Sequence, residues 1–235
     1  MVDTGRGAWT TIGKDNGEAY YKYTKNKPLD GSTPEKSLSH QAVHLGVKAI
    51  QQRLVDLGYD ERLKKNDFVV DGVYGRKTRR LVRMYQKDMD IYSGGVVGAT
   101  TGASLWHGAI EDQGQTFNFD PAYIYGIMLQ ESGGDPGAVG WFTPGDRGLY
   151  QFNTLVHDVS YEQAHDYMYA TERVFSRFNN AWRKYRGRGA DLRVFCSIAQ
   201  HNSPYSADQW FQTGKPPTDK IIDYVGRVLT GAAKY

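Results

Sequence analysis

The sequence predicts a mainly α-helical protein. Three observations support this class: an amphipathic stripe near residue 50, a glycine turn that twice introduces a helix, and a capped apolar helix near residue 125. The positions of the stripe step by 4, 3, 4 and 3, which is the spacing of one helix face; they are Val43, Val47, Ile50, Leu54 and Leu57. Gly58 follows at the position where a helix end favours a left-handed residue.

The composition excludes several classes of protein. Of the 235 residues, 40% are hydrophobic and 13% aromatic, which is typical of a chain that folds. The longest apolar run, residues 124–129, is far shorter than the ~20 residues of a membrane span, so we expect no membrane insertion. Cys196 is the single cysteine, which excludes an internal disulfide framework, and its apolar neighbours predict a core position. No leader with a charged and then an apolar stretch opens the chain, so we expect no signal peptide.

The net charge of +3 is unevenly distributed along the chain. Residues 41–110 hold 11 basic and 7 acidic side chains, a net charge of +4, whereas residues 111–235 hold 12 and 14, a net charge of −2. Basic residues crowd positions 76–83. Such a run fits either a surface that attracts polyanions or a solvated helix face. We expect the solvated face, and no nucleic-acid partner.

A turn followed by a helix occurs twice in the middle of the chain. Residues 71–78 (DGVYGRKT) and 94–101 (GGVVGATT) share Gly, Val, Gly and Thr at matching positions. Glycine permits the tight turn, and the apolar residue between the glycines fills the core. The first helix is predicted to start near Arg76 and to bury Leu81, Val82 and Tyr85. The turn residues singled out in the first copy are Asp71, Gly72, Tyr74, Gly75 and Thr78.

This middle segment resembles the three-helix peptidoglycan-binding domain that is common in cell-wall hydrolases. The resemblance rests on residues 47–54 (VKAIQQRL), 57–59 (LGY), the two turns and Leu105-Trp106, over about seventy residues. It implies a wall-binding module at residues 41–110, with bacterial peptidoglycan as its partner, after an N-terminal extension of residues 1–40. Residues 25–39 of that extension are predicted to form a loop. The insertion at residues 60–67 departs from the family pattern, and a helical domain that binds nothing is the alternative.

A carboxylate lies on the apolar stripe of the next predicted helix. Asp120 is a good N-cap, and Pro121 suits the first helical position. Glu131 falls seven positions after Ile124, on the stripe that also holds Ile127, and two glycines then end the helix. Apolar surroundings favour the protonated carboxyl, which a general acid needs near neutral pH. An exposed Glu in the last helical turn is the alternative that the spacing leaves open.

Four motifs in the last segment occur in an order that points to a family. They are residues 131–139 (ESGGDPGAV), 148–152 (GLYQF), 199–204 (AQHNSP) and 222–229 (IDYVGRVL). Together they are similar to the lysozyme-like soluble lytic transglycosylases and goose-type lysozymes, which cleave peptidoglycan between N-acetylmuramic acid and N-acetylglucosamine. The resemblance implies a lysozyme-like α-helical catalytic domain at residues 120–235, after a Gln- and Gly-containing linker at residues 111–119.

Carried over residue by residue, the resemblance assigns roles to six side chains. Glu131 is implied to be the acid that protonates the glycosidic oxygen. Tyr224 stands where the family places a tyrosine whose hydroxyl approaches that carboxyl. The remaining residues are implied to bind substrate: Ser132, Gln151, His201 and Asn202.

Three positions depart from the family pattern. Gly134 replaces the aromatic residue that usually follows Glu-Ser-Gly, and His201 replaces the tyrosine that usually precedes the asparagine. Ser203 and Pro204 replace the small pair that usually follows it. Residues 141–142 (WF) are candidates either for a wall that stacks on sugars or for the core.

The sequence leaves open whether the bond is hydrolysed. A muramidase needs a second carboxylate, about 5–5.5 Å from the acid in a retaining enzyme and about 6.5–9.5 Å in an inverting one. Asp146, on a loop rich in Gly and Pro, is the better candidate, since Asp135 is predicted to cap a turn. Without such a carboxylate, the family alternative is attack by the sugar's own 2-acetamido group and a 1,6-anhydro product. We expect a lytic transglycosylase; the alternatives are a muramidase and a non-catalytic wall-binding virion protein.

No cofactor or metal is predicted. His40 and His44 are spaced i, i+4, but no third ligand accompanies them. The expected protein is therefore a monomeric, modular wall-degrading enzyme of the phage endolysin type. Without a signal peptide, we expect it in the host cytoplasm until holin-type release admits it to the cell wall, or attached to a virion.

Overall fold

The structure is a computed structural model that describes residues 9–13, 19–23, 34–64, 67–91, 93–140 and 145–235, with side chains from residue 44 onward. It is mostly helical, which confirms the predicted class. In chain order the helices are α1 (Pro34–Asp56), α2 (Arg76–Asp88), α3 (Ala99–Phe117), α4 (Ala122–Glu131), α5 (Tyr161–His165), α6 (Tyr167–Lys184), α7 (Ala190–Asn202), α8 (Pro204–Thr213) and α9 (Asp219–Ala232). Strands β1 (Trp9–Gly13) and β2 (Ala19–Tyr23) form one antiparallel pair, and β3 (Asp146–Arg147) and β4 (Phe152–Asn153) form another. None of the helices in the described ranges has the length and apolarity that crossing a membrane requires.

One predicted loop was wrong, and one predicted linker is largely helical. Helix α1 begins at Pro34, inside the predicted loop of residues 25–39, because proline is well tolerated in the first helical turn. Helix α3 continues to Phe117 and so includes most of the predicted linker at residues 111–119. Gly114 is buried there, and a Cβ at that residue would lie 2.9 Å from the Pro121 side chain. Tertiary packing thus outweighs the weak helix propensity of a Gln- and Gly-containing segment.

The described part of the chain forms two compact units. Unit 1 consists of the described residues within Met1–Trp106 and Ser132–Tyr167, and unit 2 consists of His107–Glu131 and Met168–Tyr235. Unit 1 therefore joins α1, α2 and most of the predicted wall-binding module to the segment that comes after Glu131 in sequence. The boundaries predicted for the domains, 41–110 and 120–235, follow the linear sequence and stay predictions.

A glutamine of α1 holds the first glycine turn of unit 1 by hydrogen bonds. The side-chain Nε2 of Gln51 donates to the carbonyl of Val73 and to Oγ1 of Thr78, both at 3.0 Å. Its Oε1 accepts the backbone N–H of Gly72 at 2.8 Å. Gln51 is 1% exposed, so these bonds satisfy polar groups that water does not reach.

A glutamine of α2 holds the second glycine turn with the same pattern of hydrogen bonds. Gln86 of α2 donates to the carbonyl of Val96 at 2.7 Å and to Oγ1 of Thr101 at 2.9 Å, and it accepts the N–H of Gly95 at 2.8 Å. The buried Tyr74 hydroxyl, from the first turn, donates to the carbonyl of Gly95 at 3.0 Å. The sequence repeat is thus a structural repeat as well, and its two turns are bonded to each other.

In unit 2, helices α4 and α9 approach each other through two glycines. A Cβ on Gly126 would lie 2.2 Å from the carbonyl oxygen of Val228 and 2.9 Å from the nitrogen of Ala232. A Cβ on Gly231 would lie 3.1 Å from the Cα of Gly126. Only residues without side chains permit this distance between the two backbones.

The core of unit 2 is rich in aromatic side chains. The ring of Phe119 packs edge-on against Phe178 and Trp182, with centroids 4.8 Å and 5.2 Å away. Cys196 of α7 is fully buried, which confirms its predicted core position. Burial raises the pKa of its thiol to about 11, so the thiol stays protonated and unreactive at neutral pH.

Candidate active site

Unit 2 brings Glu131 and Tyr224 into contact. Glu131 is the last residue of α4 and is half-buried, whereas Tyr224 of α9 is 6% exposed. The Tyr224 hydroxyl donates a hydrogen bond of 2.7 Å to Oε1 of Glu131. The carboxyl therefore has a fixed orientation at the end of its helix while part of its surface remains exposed.

The two helices that carry this pair are fixed at their starts as well as at their crossing. Asp120 caps α4, since its Oδ1 accepts the N–H of Ala122 at 2.9 Å, as the sequence predicted. The Thr218 hydroxyl caps α9 by accepting the N–H of Ile221 at 3.4 Å. Local capping sets where each helix begins, and the close backbone approach of the two helices then sets how near Glu131 lies to Tyr224.

The end of α7 presents two of the predicted substrate residues. Asn202 is the last residue of α7 and is exposed, and His201 is half-buried. His201 lines a small cavity of about 10 Å³ together with Ile127 and Arg177, among others. Asn202 is thus accessible to a ligand, while His201 faces a narrower, partly apolar space.

The departure at residues 203–204 has a structural reason. The Ser203 side chain accepts the N–H of Ser206 at 3.4 Å and so caps α8, and Pro204 is the first residue of that helix. Serine at the N-cap and proline at the first helical position are the residues that favour a helix start. Residues 203–204 therefore end α7 and begin α8 with no loop between the two helices.

Unit 1 contains Ser132 and Asp135 in the turn directly after Glu131 in the chain. The Ser132 hydroxyl oxygen accepts the N–H of Gly134 at 3.1 Å, and Oδ1 of Asp135 accepts the N–H of Gly137 at 2.6 Å. Burial raises the pKa of Asp135 well above its usual range. A carboxyl that favours its neutral form is a poor nucleophile or general base, so Asp135 is better suited to holding the turn.

Gln151 lies on the hairpin that joins β3 to β4 in unit 1. Its φ is +49°, an uncommon value for a residue with a side chain. Its Nε2 donates to the carbonyl of Gly148 at 2.9 Å and of Ala138 at 3.3 Å. The Gln151 amide nitrogen is thus bonded within unit 1, and the substrate-binding role of Gln151 stays a prediction.

The glycine of the Gly-Leu-Tyr-Gln motif is required by packing. Gly148 has a φ of +72°, and a Cβ there would lie 1.8 Å from the carbonyl oxygen of Ala164. Leu149 and Tyr150 are buried beside it. Asp146 is half-buried on β3, and its backbone carbonyl accepts the N–H of Gly140 at 2.9 Å.

Comparison with protein families finds two matches in succession along the chain. Residues 44–105 match the model of a peptidoglycan binding domain, and residues 108–171 match the model of the Transglycosylase SLT domain. The chain is a modular peptidoglycan-degrading enzyme. No curated protein matches the sequence significantly.

The SLT match includes some of the predicted site residues and stops before others. Glu131, Ser132 and Gln151 lie within residues 108–171. His201, Asn202 and Tyr224 lie beyond the matched segment. The hydrogen bond from Tyr224 to Glu131 therefore extends the candidate site of the enzyme into α9.

The structure does not test every predicted position. Residues 141–142 (WF) lie outside the described residues. Among the residues that the structure describes, no group of His, Cys, Asp and Glu is placed to hold a metal ion. The imidazole of His44 instead packs against Gly72, where a Cβ would lie 2.3 Å from its Cε1.

Sequence reasoning missed residues that fix the elements carrying the predicted motifs. Gly126 and Gly231 set the spacing of α4 and α9, and Gln51 and Gln86 hold the two turns. Gly126 offered a signal, because a glycine inside a predicted helix lowers helix stability and usually has a packing reason.

Proposed function

We propose that this enzyme is a lytic transglycosylase that cleaves the β-1,4 bond between N-acetylmuramic acid and N-acetylglucosamine, with Glu131 as its single catalytic acid. The observation that carries the proposal is the 2.7 Å hydrogen bond from the Tyr224 hydroxyl to Oε1 of Glu131, in a chain that matches the SLT domain. A carboxyl that transfers a proton must be held in one orientation at the scissile bond, and this bond provides that constraint.

The proposed reaction needs one carboxyl in two protonation states. Protonated Glu131 gives its proton to the glycosidic oxygen as the bond from that oxygen to the muramic C1 breaks. The carbonyl oxygen of the muramic 2-acetamido group attacks C1 and forms a cyclic intermediate. The Glu131 carboxylate then removes the proton of the C6 hydroxyl, whose oxygen attacks C1, releases the acetamido group and leaves a 1,6-anhydro product. In the carboxylate state, the hydrogen bond from Tyr224 stabilises the negative charge.

The alternative is a muramidase in which a second carboxylate activates water. Asp146 remains the candidate for that role, since the raised pKa of Asp135 disfavours its anion. Variants Asp146→Asn and Asp135→Asn, compared on purified murein, separate the two reactions. A transglycosylase is expected to keep forming 1,6-anhydro ends in both variants, whereas a muramidase is expected to lose activity in one of them.

The decisive experiment is the Glu131→Gln variant on purified murein, with mass spectrometry of the products. Glutamine keeps the shape of the side chain but has no acidic proton, so clearing is expected to fall by at least about 100-fold. Glu172→Gln is the matched control, because Glu172 is an exposed carboxylate on α6. Unchanged clearing by Glu131→Gln would remove Glu131 from the mechanism. If the unmodified protein does not clear murein, the non-catalytic wall-binding protein becomes the better account.

We propose further that the peptidoglycan binding domain anchors the enzyme to the wall and that the enzyme lyses bacteria. The match at residues 44–105 supports the first part. Glu131→Gln is expected to sediment with sacculi without degrading them, and failure to sediment would contradict anchoring. Endolysin-type release is tested by expression in bacteria with and without a holin: lysis that depends on the holin is expected, and lysis without it would contradict that route.

A further inference from the structure

The first part of helix α3, which belongs to unit 1, lies against the backbone of the turn after Glu131. A Cβ on Gly102 would be 2.7 Å from the carbonyl oxygen of Gly134. A Cβ on Gly134, whose φ is +85°, would be 2.7 Å from the nitrogen of Ala103. The missing side chain at Gly134, where the family resemblance leads one to expect an aromatic residue, is therefore what allows α3 to come this close.

One helical turn after Gly102, Trp106 bonds to the same carbonyl. Its Nε1 donates to the carbonyl oxygen of Gly134 at 2.8 Å. The indole is fully buried and packs against the ring of Tyr167, with centroids 5.0 Å apart. Because the donor belongs to a buried ring, this hydrogen bond restrains the orientation of the Gly134 carbonyl.

Helix α1 holds the other end of the same turn. A Cβ on Gly46 would lie 2.6 Å from the Cα of Gly137, so these two backbones are also in contact. Within the turn, Ser132 and Asp135 each accept one backbone N–H. Residues 132–137 are thus fixed from both sides, by Gly46 and Gly102, which lie within the peptidoglycan binding match of residues 44–105, and by Trp106, which follows that match.

We infer that Gly102 and Trp106 are positioning residues for the reaction. They fix the turn of residues 132–137, and this turn continues directly from Glu131, the last residue of α4. Because Ser132 is bonded directly to Glu131, a fixed turn restrains the backbone on the C-terminal side of the acid. This inference rests on the proposed function of Glu131.

The test uses the full chain with Trp106→Phe, which keeps a buried ring and removes the N–H donor. We expect kcat on soluble peptidoglycan fragments to fall about 10-fold with KM changed less than about twofold, because displacement of a catalytic group affects turnover more than binding. Amide hydrogen exchange is expected to become faster in residues 132–138. Trp210→Phe, at a buried tryptophan on α8, is the matched control and is expected to leave both measurements unchanged.

A second variant covers the case in which Trp106→Phe does not fold. Gly102→Ala places a methyl group against the carbonyl of Gly134, whereas Gly98→Ala places one where no atom lies within 4 Å. We expect kcat to fall for Gly102→Ala and to be unchanged for Gly98→Ala. Normal kcat in Trp106→Phe and Gly102→Ala would overturn the inference, as would unchanged exchange in residues 132–138.

Glu131→Gln in the same assay separates the two proposals. If Glu131→Gln is inactive while Trp106→Phe and Gly102→Ala have normal kcat, the proposed function stands and only the positioning role falls. If Glu131→Gln keeps full turnover, both fall.

Discussion

Replacing Gly126 by alanine is expected to separate the two helices that carry Glu131 and Tyr224. The new Cβ would lie 2.2 Å from the carbonyl oxygen of Val228, about 1.2 Å short of an ordinary 3.4 Å contact. The carbonyl oxygen of Val228 belongs to the backbone and the new Cβ is bonded directly to it, so no side-chain rotation relieves the overlap. Helices α4 and α9 must move apart by about that distance.

The expected change in the free energy of unfolding of Gly126→Ala reflects two opposing effects. Alanine is favoured over glycine in a helix interior by about 1 kcal/mol, whereas forcing an extra group into a packed interface costs about 1–3 kcal/mol. With backbone on both sides we take the upper value, so we expect a net loss of about 2 kcal/mol in the free energy of unfolding. The 2.7 Å bond from Tyr224 to Glu131 would stretch beyond hydrogen-bonding distance. Losing a bond to a charged group costs about 1.5–3 kcal/mol, or roughly 10–100-fold in turnover.

Gly226→Ala is the matched control for this prediction. Gly226 is on the exposed side of α9, and no atom lies within 4 Å of its Cβ position. There alanine is expected to stabilise the protein by up to about 1 kcal/mol and to leave turnover unchanged. Urea unfolding and murein clearing measure both variants. If Gly126→Ala is as stable and as active as Gly226→Ala, the backbone contact between α4 and α9 does not set the geometry of the site.

Three further predictions concern unit 1. Gln51→Ala removes a buried side chain with several hydrogen bonds and is expected to lower the free energy of unfolding by about 2–4 kcal/mol. The control Gln52→Ala, on the exposed side of α1, is expected to lower it by less than about 0.5 kcal/mol. Equal losses for the two variants in denaturant unfolding would show that the Gln51 hydrogen bonds do not stabilise the turn. Burial lowers the pKa of His165 to about 4. Between that pH and about 6.5, the imidazole is therefore neutral in the folded protein and protonated in the unfolded chain. Stability should fall as pH drops from about 6.5 to 4, by up to roughly 3 kcal/mol in total; a His165→Gln variant with the same pH dependence would argue against this cause. Burial raises the pKa of Asp135, so its contribution to stability is present at acid pH and is lost as pH rises. Asp135→Asn is therefore expected to unfold at a higher temperature than the parent at pH 7 but not near pH 3, and a lower melting temperature at pH 7 would show that the carboxylate itself is needed.

Much of the fold and site was predictable because its signals are local. The helix periodicity, the cap at Asp120 and the repeated glycine turns each depend on a few neighbouring residues, and the structure has these features. The resemblance added Glu131 and Tyr224 as a pair, and the structure places them in contact. The helical structure of the predicted linker was not predictable, because that sequence is weakly helical by itself and packs, with Gly114 against Pro121, only in the fold.

By itself the sequence determined the helical class, the turn repeat and the identity of the candidate acid. The tertiary structure decided which long-range contacts form in each unit: Gly126 against α9 in unit 2, and Trp106 against the carbonyl of Gly134 in unit 1. These contacts join residues far apart in the chain. The local sequence around a glycine or a tryptophan does not show which distant residue it contacts. Their effect depends on distances between backbones, which arise only when the helices pack.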